Sequence, residues 1–436
     1  MTELPALEAA GRTRVPTAYS VSWNLTRRCN LRCDHCYISA GPGPRRPDEL
    51  STTECLRVMD EIAEVNPNIF LILTGGEPLL RPDLPALAAA GRERGFTVVV
   101  GTNGVLLRER QARLLRESGV QGVSLSLDST DASRHDTFRR LPGAWQGAVR
   151  ATEICRAEGL DFSLHMSVTE WNLGEIPDMI DLARELGATV LNLFFLVRCG
   201  RGEGLTDIAA SEYERILTYL AKVQGAGAGR TDGLLVRARC APQFRRIVWE
   251  MDPTSPLLQA YAEGSCPAGK HYCRITPEGD VTPSPFMPLA VGSLRERSFA
   301  DLWRSAPVFT DLRTSRLHGR CGDCEFSKIC GGCRCRAYAT SGDYLAEDPA
   351  CSYQPGAHGG IPIEVPAALT FGLEVSKELA WSEAASARLQ AIPSFARGMV
   401  VQAVEAYART AGHAVVTPAM LAEVRQRWGA RFAPRA

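Results

Sequence analysis

Between residues 18 and 235, short apolar runs alternate with amphipathic stretches. The runs are SVSWNLT (20–26), IFLILT (69–74), TVVVGT (97–102), GVSLSL (122–127), DFSLHMSV (161–168) and VLNLFFLV (190–197). Most are nearly continuously apolar, a pattern that predicts strands covered on both faces. Between them, TTECLRVMDEIAEV and DLPALAAAGRERG carry the helical period. Strand–helix units in series predict an α/β fold with a parallel sheet curled into a partial (β/α)6 barrel. Right-handed crossovers put the helices outside. Such sheets present their chemistry at the carboxyl ends of the strands. Cys29 to Cys36 follow the first run, Gly75 to Pro78 the second, Thr102 and Asn103 the third, and Asp128 the fourth.

The periodicity then breaks. Residues 236–355 are rich in Cys, Gly and Pro, so this region needs metal staples to hold it. Residues 356–436 open with a linker, GAHGGIPIEVPAA, and continue as a small helical domain in which Thr417-Pro418 predicts a helix start. Residues 1–17 form an N-terminal tail.

The chain has 436 residues, which at about 150 per domain predicts roughly three domains. Lys and Arg number 49 against 49 Asp and Glu, which argues against a broad nucleic-acid footprint. There is no long uninterrupted apolar run and no basic-then-apolar start, so a cytoplasmic protein without a membrane span is expected. Cysteine is the outlier: 15 residues, mostly in short spacings, which points to metal or redox chemistry. Cys55, Cys155, Cys199 and Cys240 stand apart and read by default as buried thiols. Cys240 lies between barrel and cysteine-rich region and is also a candidate catalytic or ligand residue.

Cys29, Cys33 and Cys36 put three soft ligands on one loop, where a cubane cluster normally takes four. His35 could instead complete a zinc site. RRCNLRCDHCY resembles the CxxxCxxC signature of radical S-adenosylmethionine (SAM) enzymes. The resemblance implies a [4Fe–4S] cluster on these cysteines whose fourth iron binds SAM. It also implies that the cluster cleaves SAM to a 5′-deoxyadenosyl radical. Further motifs fall in order: Thr74-Gly75-Gly76-Glu77-Pro78 matches GGEP, and Ser124, Ser126 and Asp128 match the SLD pattern. By the resemblance, Tyr37, Gly75, Gly76, Thr102, Asn103, Ser126, Asp128 and Leu196 lie at the SAM site. Glu77 fixes the turn, while the glycines let backbone approach the SAM amino group.

Cys321-x2-Cys324-x5-Cys330, with Cys351 beyond, supplies four more thiolates. A zinc ribbon is one reading. The spacing also resembles the SPASM domain, which holds auxiliary [4Fe–4S] clusters; one or two are implied here. The resemblance assigns these four to an outer cluster. For an inner one it offers Cys266, Cys273 and either Cys333 or Cys335, with Cys333 preferred. Ser284 stands where the pattern has a further Cys. The alternatives are an open iron, a serine ligand, or no inner cluster.

SWNLTRRCNLRCDHCYISAG, FFLVRCGRG, RCAP and CGGCRCRAYATSGDYLAEDPAC resemble the heme and heme d1 biosynthesis branch of the family. That implies a tetrapyrrole substrate, oxidatively decarboxylated at its propionates, and an electron donor such as flavodoxin or ferredoxin. Trp381, Arg388, Glu405 and Tyr407 resemble the end of a protochlorophyllide reductase subunit. Arg198, Arg201, Arg239 and Arg245 are candidates for holding carboxylates. Tyr37, Trp171 and Phe286 are candidates for packing a macrocycle, while His135 and His165 read as structural. Maturation of a ribosomally made peptide is the alternative enzyme reading; a zinc-binding interaction protein is the non-enzyme one.

Overall fold

The computed structural model describes residues 18–226, 234–258, 266–365, 377–390, 392 and 394–428. The expected tail, 1–17, and linker residues 366–376 lie outside them. Six strands fall where the apolar runs predict: β1 (Ser20–Asn24), β2 (Phe70–Thr74), β3 (Thr97–Thr102), β4 (Gly122–Ser126), β5 (Asp161–Val168) and β6 (Val190–Phe195). A seventh, β7 (Leu235–Arg239), pairs parallel to β6. The boundary expected at 235/236 therefore falls inside a strand.

The sheet continues on its other side. β8 (Tyr272–Ile275) pairs parallel to β1, and β9 (Asp280–Thr282) and β10 (Gly292–Ser293) follow antiparallel. The order is β10-β9-β8-β1-β2-β3-β4-β5-β6-β7. The cysteine-rich region is thus partly an extension of the barrel sheet.

The strands are not apolar on both faces. Val21, Trp23, Leu71, Leu73, Val98 and Val100 belong to the main core. Their neighbours Ser20, Ser22, Ile72, Thr74, Val99 and Gly101 line a cavity instead. Small and polar residues on this second face leave the barrel unfilled, so it can take a ligand. The first helix, Thr52–Val65, starts at a Ser51–Glu54 capping box and buries Cys55, Val58, Met59 and Ile62 at helical spacing. Cys55 and Cys155 are fully buried in the core, as isolated thiols should be.

In the C-terminal part, β11 (Ala380–Trp381) pairs parallel to β12 (Val415–Val416) beside helices Glu383–Gln390, Ser394–Thr410 and Pro418–Trp428. The last begins at the expected Pro. These elements share their own small core around Val401, Val404 and Val416. Buried Glu405 accepts hydrogen bonds from Trp381 Nε1 at 2.9 Å and from the Glu378 amide at 3.1 Å, tying helix to strand. No described helix is long and apolar enough to cross a membrane.

Candidate functional site

The cysteine loop sits on the carboxyl end of β1 and is held by the turn after β2. Gly76 N–H donates to Thr26 O at 2.6 Å and Glu77 N–H to Arg28 O at 2.8 Å. A Cβ on Gly76 would stand 2.3 Å from Arg28 O, so only glycine allows the two segments to dock. The glycines therefore serve the approach of the cysteine loop, a role the motif alone did not reveal. Glu77 is fully buried and accepts from Thr102 Oγ1 at 2.7 Å, Asn103 N at 3.0 Å and Leu79 N at 3.1 Å. Burial pushes its carboxyl up to about 6 against these donors. From the other side Arg201 Nε donates to Cys33 O at 2.7 Å.

Cys29, Cys33 and Cys36 all line the cavity, with Cys29 and Cys33 buried. Burial pushes the Cys29 thiol up to about 12 and raises that of Cys33, so the thiolates need a metal's charge. Sulfurs sharing one zinc ion lie at most about 4.6 Å apart, twice the Zn–S bond. Among the described residues no trio of these cysteines and His35 converges within 4.8 Å. His35 stacks on Phe138 instead, ring centroids 4.4 Å apart. Three separate thiolates suit a cubane with one iron left for another ligand.

Gly75, Gly76, Thr102, Asn103, Ser126, Leu196 and Tyr37 face the same cavity. Asn103 Nδ2 donates to Asn30 Oδ1 at 2.9 Å, and Tyr37 OH accepts from Asn24 Nδ2 at 2.8 Å. Asp128 and Glu77 do not line it. Asp128 is 0% exposed and has both oxygens engaged: Arg139 Nε donates at 2.6 Å and Ser167 N at 2.8 Å. Although burial opposes its charge, the Arg139 guanidinium holds this carboxyl well below the usual range. Its place among the SAM contacts is corrected accordingly: it anchors the end of β4. Its amide also donates to His135 Nδ1 at 3.1 Å, which makes that histidine structural. His165 faces the cavity, held down to about 3 by burial and then by Arg239.

Cys321, Cys324, Cys330 and Cys351 line one small cavity of about 30 Å³. The spacing predicted this set, and its enclosure suits a fully ligated centre. The inner group differs from expectation. The Sγ atoms of Cys266, Cys333 and Cys335 lie within 4.8 Å of one another. Half-buried Cys240 packs against the cluster that holds them, its sulfur outside that 4.8 Å group. Cys273 is absent from this group: β8 turns it into the main core with Val21, while Tyr272 takes the cavity side. Ser284 lines the cavity. Cys333 and Cys335 face the same site because Cys333 caps helix Arg334–Ser341 and lies off its spiral.

A fully buried ion pair that the sequence did not signal joins the two groups. Arg336 Nη1 lies 3.0 Å from Asp348 Oδ2, which also accepts from Cys333 N at 2.7 Å. Asp348 N donates to Cys321 Sγ at 3.4 Å, and Arg336 Nη2 donates to Cys240 O at 2.7 Å.

The main cavity measures about 1440 Å³ and extends from the Cys29–Cys36 loop to the inner cysteines. Arg201, Arg239 and Arg245 line it, with Tyr37, Phe194 and Phe286. Phe286 packs edge-on to Tyr37 at 5.5 Å. Arg198 and Trp171 do not line it. Arg198 binds Glu203 O, and exposed Trp171 stacks on Phe138 under Arg134.

Residues 23–183 match the radical SAM superfamily, and 266–325 an iron–sulfur cluster-binding (SPASM) domain. Residues 381–425 match the proto-chlorophyllide reductase 57 kD subunit. An AdoMet-dependent heme synthase of Methanosarcina barkeri is 38% identical over 345 residues, covering 77% of this chain and 97% of that protein. A pre-heme d1 synthase of Dinoroseobacter shibae is 32% identical over 362 residues, covering 79% and 88%. SuiB of Streptococcus suis, bound to S-adenosylmethionine, shares the fold with a TM-score of 0.62 at 16% identity over 78% of each chain.

Proposed function

The chain belongs to the radical SAM superfamily, in the branch with a SPASM iron–sulfur domain, and from that premise we propose that it oxidatively decarboxylates propionate side chains of a tetrapyrrole. The observation that carries this reading is the single cavity of about 1440 Å³ joining the cysteine loop to the inner cysteine group along an arginine-bearing wall. It exceeds the roughly 300–1,000 Å³ of a drug-sized site, as room for SAM and a macrocycle together requires. The heme synthase relative, covered almost end to end, supports the substrate class.

In this reading Cys29, Cys33 and Cys36 would hold a [4Fe–4S] cluster, which together with SAM would supply a 5′-deoxyadenosyl radical for removing one hydrogen atom from a propionate. Loss of CO2 would then leave a vinyl group, the one released electron passing to an auxiliary cluster. Glu77 and Arg201 keep the cysteine loop in place, while Thr102, Asn103, Ser126 and Leu196 wall the nucleoside. Arg201, Arg239 and Arg245 hold substrate carboxylates through their planar forks. Tyr37, Phe194 and Phe286 offer ring faces to the macrocycle. Cys321, Cys324, Cys330 and Cys351 hold an outer auxiliary cluster. A reductant protein such as flavodoxin or ferredoxin provides the priming electron.

The test is anaerobic incubation with SAM, dithionite and an iron porphyrin bearing propionates, followed by mass spectrometry. The expected product has lost one formic-acid equivalent per side chain, with 5′-deoxyadenosine formed in step. Steady 5′-deoxyadenosine release with an unchanged porphyrin would refute the substrate.

A further inference from the structure

Cys240 was an isolated cysteine in the sequence, 26 residues before the next one. In the fold it follows β7 directly and packs against the buried cluster that contains Cys266, Cys333 and Cys335. Its backbone takes φ +58°, a left-handed conformation that is strained for a non-glycine residue and is kept where the surroundings demand it. The Cys240 carbonyl is fixed by Arg336, the same side chain that pairs with the Asp348 holding the Cys333 amide. Two of the four cysteines are thus tethered to one buried ion pair. We propose that Cys240 supplies the fourth thiolate of the inner site. Together with Cys266, Cys333 and Cys335 it holds one thiophilic metal centre with no coordination position left open.

The competing ligands are disposed otherwise. Cys273 lies on the opposite face of β8, fully buried among apolar side chains. Ser284 Oγ accepts from Phe286 N at 3.3 Å within its own turn, and a neutral hydroxyl is a poor ligand beside four soft thiolates. The loss of a cysteine at Ser284 is therefore made good from the barrel: the missing sulfur arrives on β7. An all-thiolate set is chemically complete for a cubane and also for a single tetrahedral ion. The close approach of three of the sulfurs matches the spacing of ligands on a single ion, and metal analysis separates that occupant from a cubane.

This inference rests on reading the second cysteine region as metal-bearing. The experiment uses the full chain carrying Cys29→Ala, Cys33→Ala and Cys36→Ala, so that only the inner and outer sites load. After anaerobic reconstitution, iron, zinc and acid-labile sulfide are counted per chain, and the reduced EPR spectrum is recorded. Into this background go Cys240→Ala, Cys266→Ala, Cys273→Ala and Ser284→Ala. Cys240→Ala and Cys266→Ala are each expected to remove one centre; if both sites hold cubanes, iron falls by about half. Cys273→Ala and Ser284→Ala keep the parental metal content. Loss of iron and sulfide together identifies a cubane, and loss of an ion without sulfide a single metal; either supports the four-thiolate site. Cys240→Ser, which keeps a ligating oxygen, shifts the EPR signal if the alanine variant fails to fold.

Parental metal and EPR in Cys240→Ala, with loss in Cys266→Ala, overturn the ligand assignment. Loss in Ser284→Ala or Cys273→Ala but not in Cys240→Ala does the same. Parental metal in Cys266→Ala overturns the metal-bearing reading itself.

Discussion

Arg139→Met removes the cation from Asp128. The pair is 2.6 Å long, with side chains 7% and 0% exposed. Asp128 would keep the Ser167 amide as donor but lose its counter-charge in a fully buried site. Breaking such a pair from one side costs about 3–5 kcal/mol, a large share of a total stability of about 5–15. Adding Asp128→Asn removes the stranded charge and leaves an amide whose unsatisfied donor costs about 1–3 kcal/mol. The double variant should therefore be about 2 kcal/mol more stable than Arg139→Met alone. The pH dependence has a defined sign. In the parent the Asp128 pKa is depressed, so the pair's contribution is complete above the unfolded value of about 3.9 and fades as pH falls through and below it. In Arg139→Met the buried carboxyl rises instead, so that variant's deficit is larger at pH 7.5 than at pH 5. Anaerobic urea denaturation followed by tryptophan fluorescence measures all three proteins. The reasoning fails if Arg139→Met lies within about 1 kcal/mol of the parent, or if Asp128→Asn brings no recovery.

Gly76→Ala places a Cβ 2.3 Å from Arg28 O, so the cysteine loop must shift; SAM cleavage, read as 5′-deoxyadenosine, should fall at least tenfold while iron at the outer site persists. Glu77→Gln turns an amide donor toward either the Asn103 amide or the Thr102 and Leu79 donors, at about 1–3 kcal/mol, visible as a lowered thermal midpoint. Cys33→Ala should abolish 5′-deoxyadenosine formation while the outer cluster's EPR signal remains. His135 and His165 are held down to about 4 and 3 by burial, so they bind fewer protons folded than unfolded; stability should decline as pH falls from about 6.5 toward 4, and a midpoint unchanged over that window would contradict their burial as neutral rings.

The six apolar runs marked six strands because each strand's outer face is covered by its own neighbouring helix, a local arrangement. β7 escaped: LVRAR alternates apolar residues with arginines that face the cavity, so it offers no continuous run. β8 escaped because YCRI is short and its partner β1 lies about 250 residues earlier. The same distinction governs the sites. Three of the four outer cysteines fall within ten residues, so their gathering around one small cavity was legible from the chain. The inner set draws on Cys240, Cys266, Cys333 and Cys335, and no local spacing links the first to the last. Proximity in sequence favoured Cys273, but a residue one step along a strand faces the other side. Asp128 shows a further limit: a motif marks a carboxylate without saying whether its partner is ligand or protein. Here the partner is Arg139, at the end of the next helix, whose stretch HDTFR belonged to the resemblance without its role being legible.

If the inner centre is closed by four thiolates, neither auxiliary site has a free corner for substrate, since the outer four already enclose theirs. Substrate carboxylates must then be held by the protein, and the cavity provides for this: Arg201, in the turn after β6, clamps the cysteine loop, and Arg239 ends the adjacent β7. An electron released by decarboxylation there would leave from the same cavity that Cys266, Cys333 and Cys335 line. The Arg336–Asp348 pair then has a physical task beyond packing. It places a buried positive charge beside an anionic inner centre, and Asp348 carries hydrogen bonds to Cys333 and Cys321. Charge and hydrogen bonds near the sulfurs set the potential of such centres, so one ion pair tunes the inner site and fixes the outer one against it.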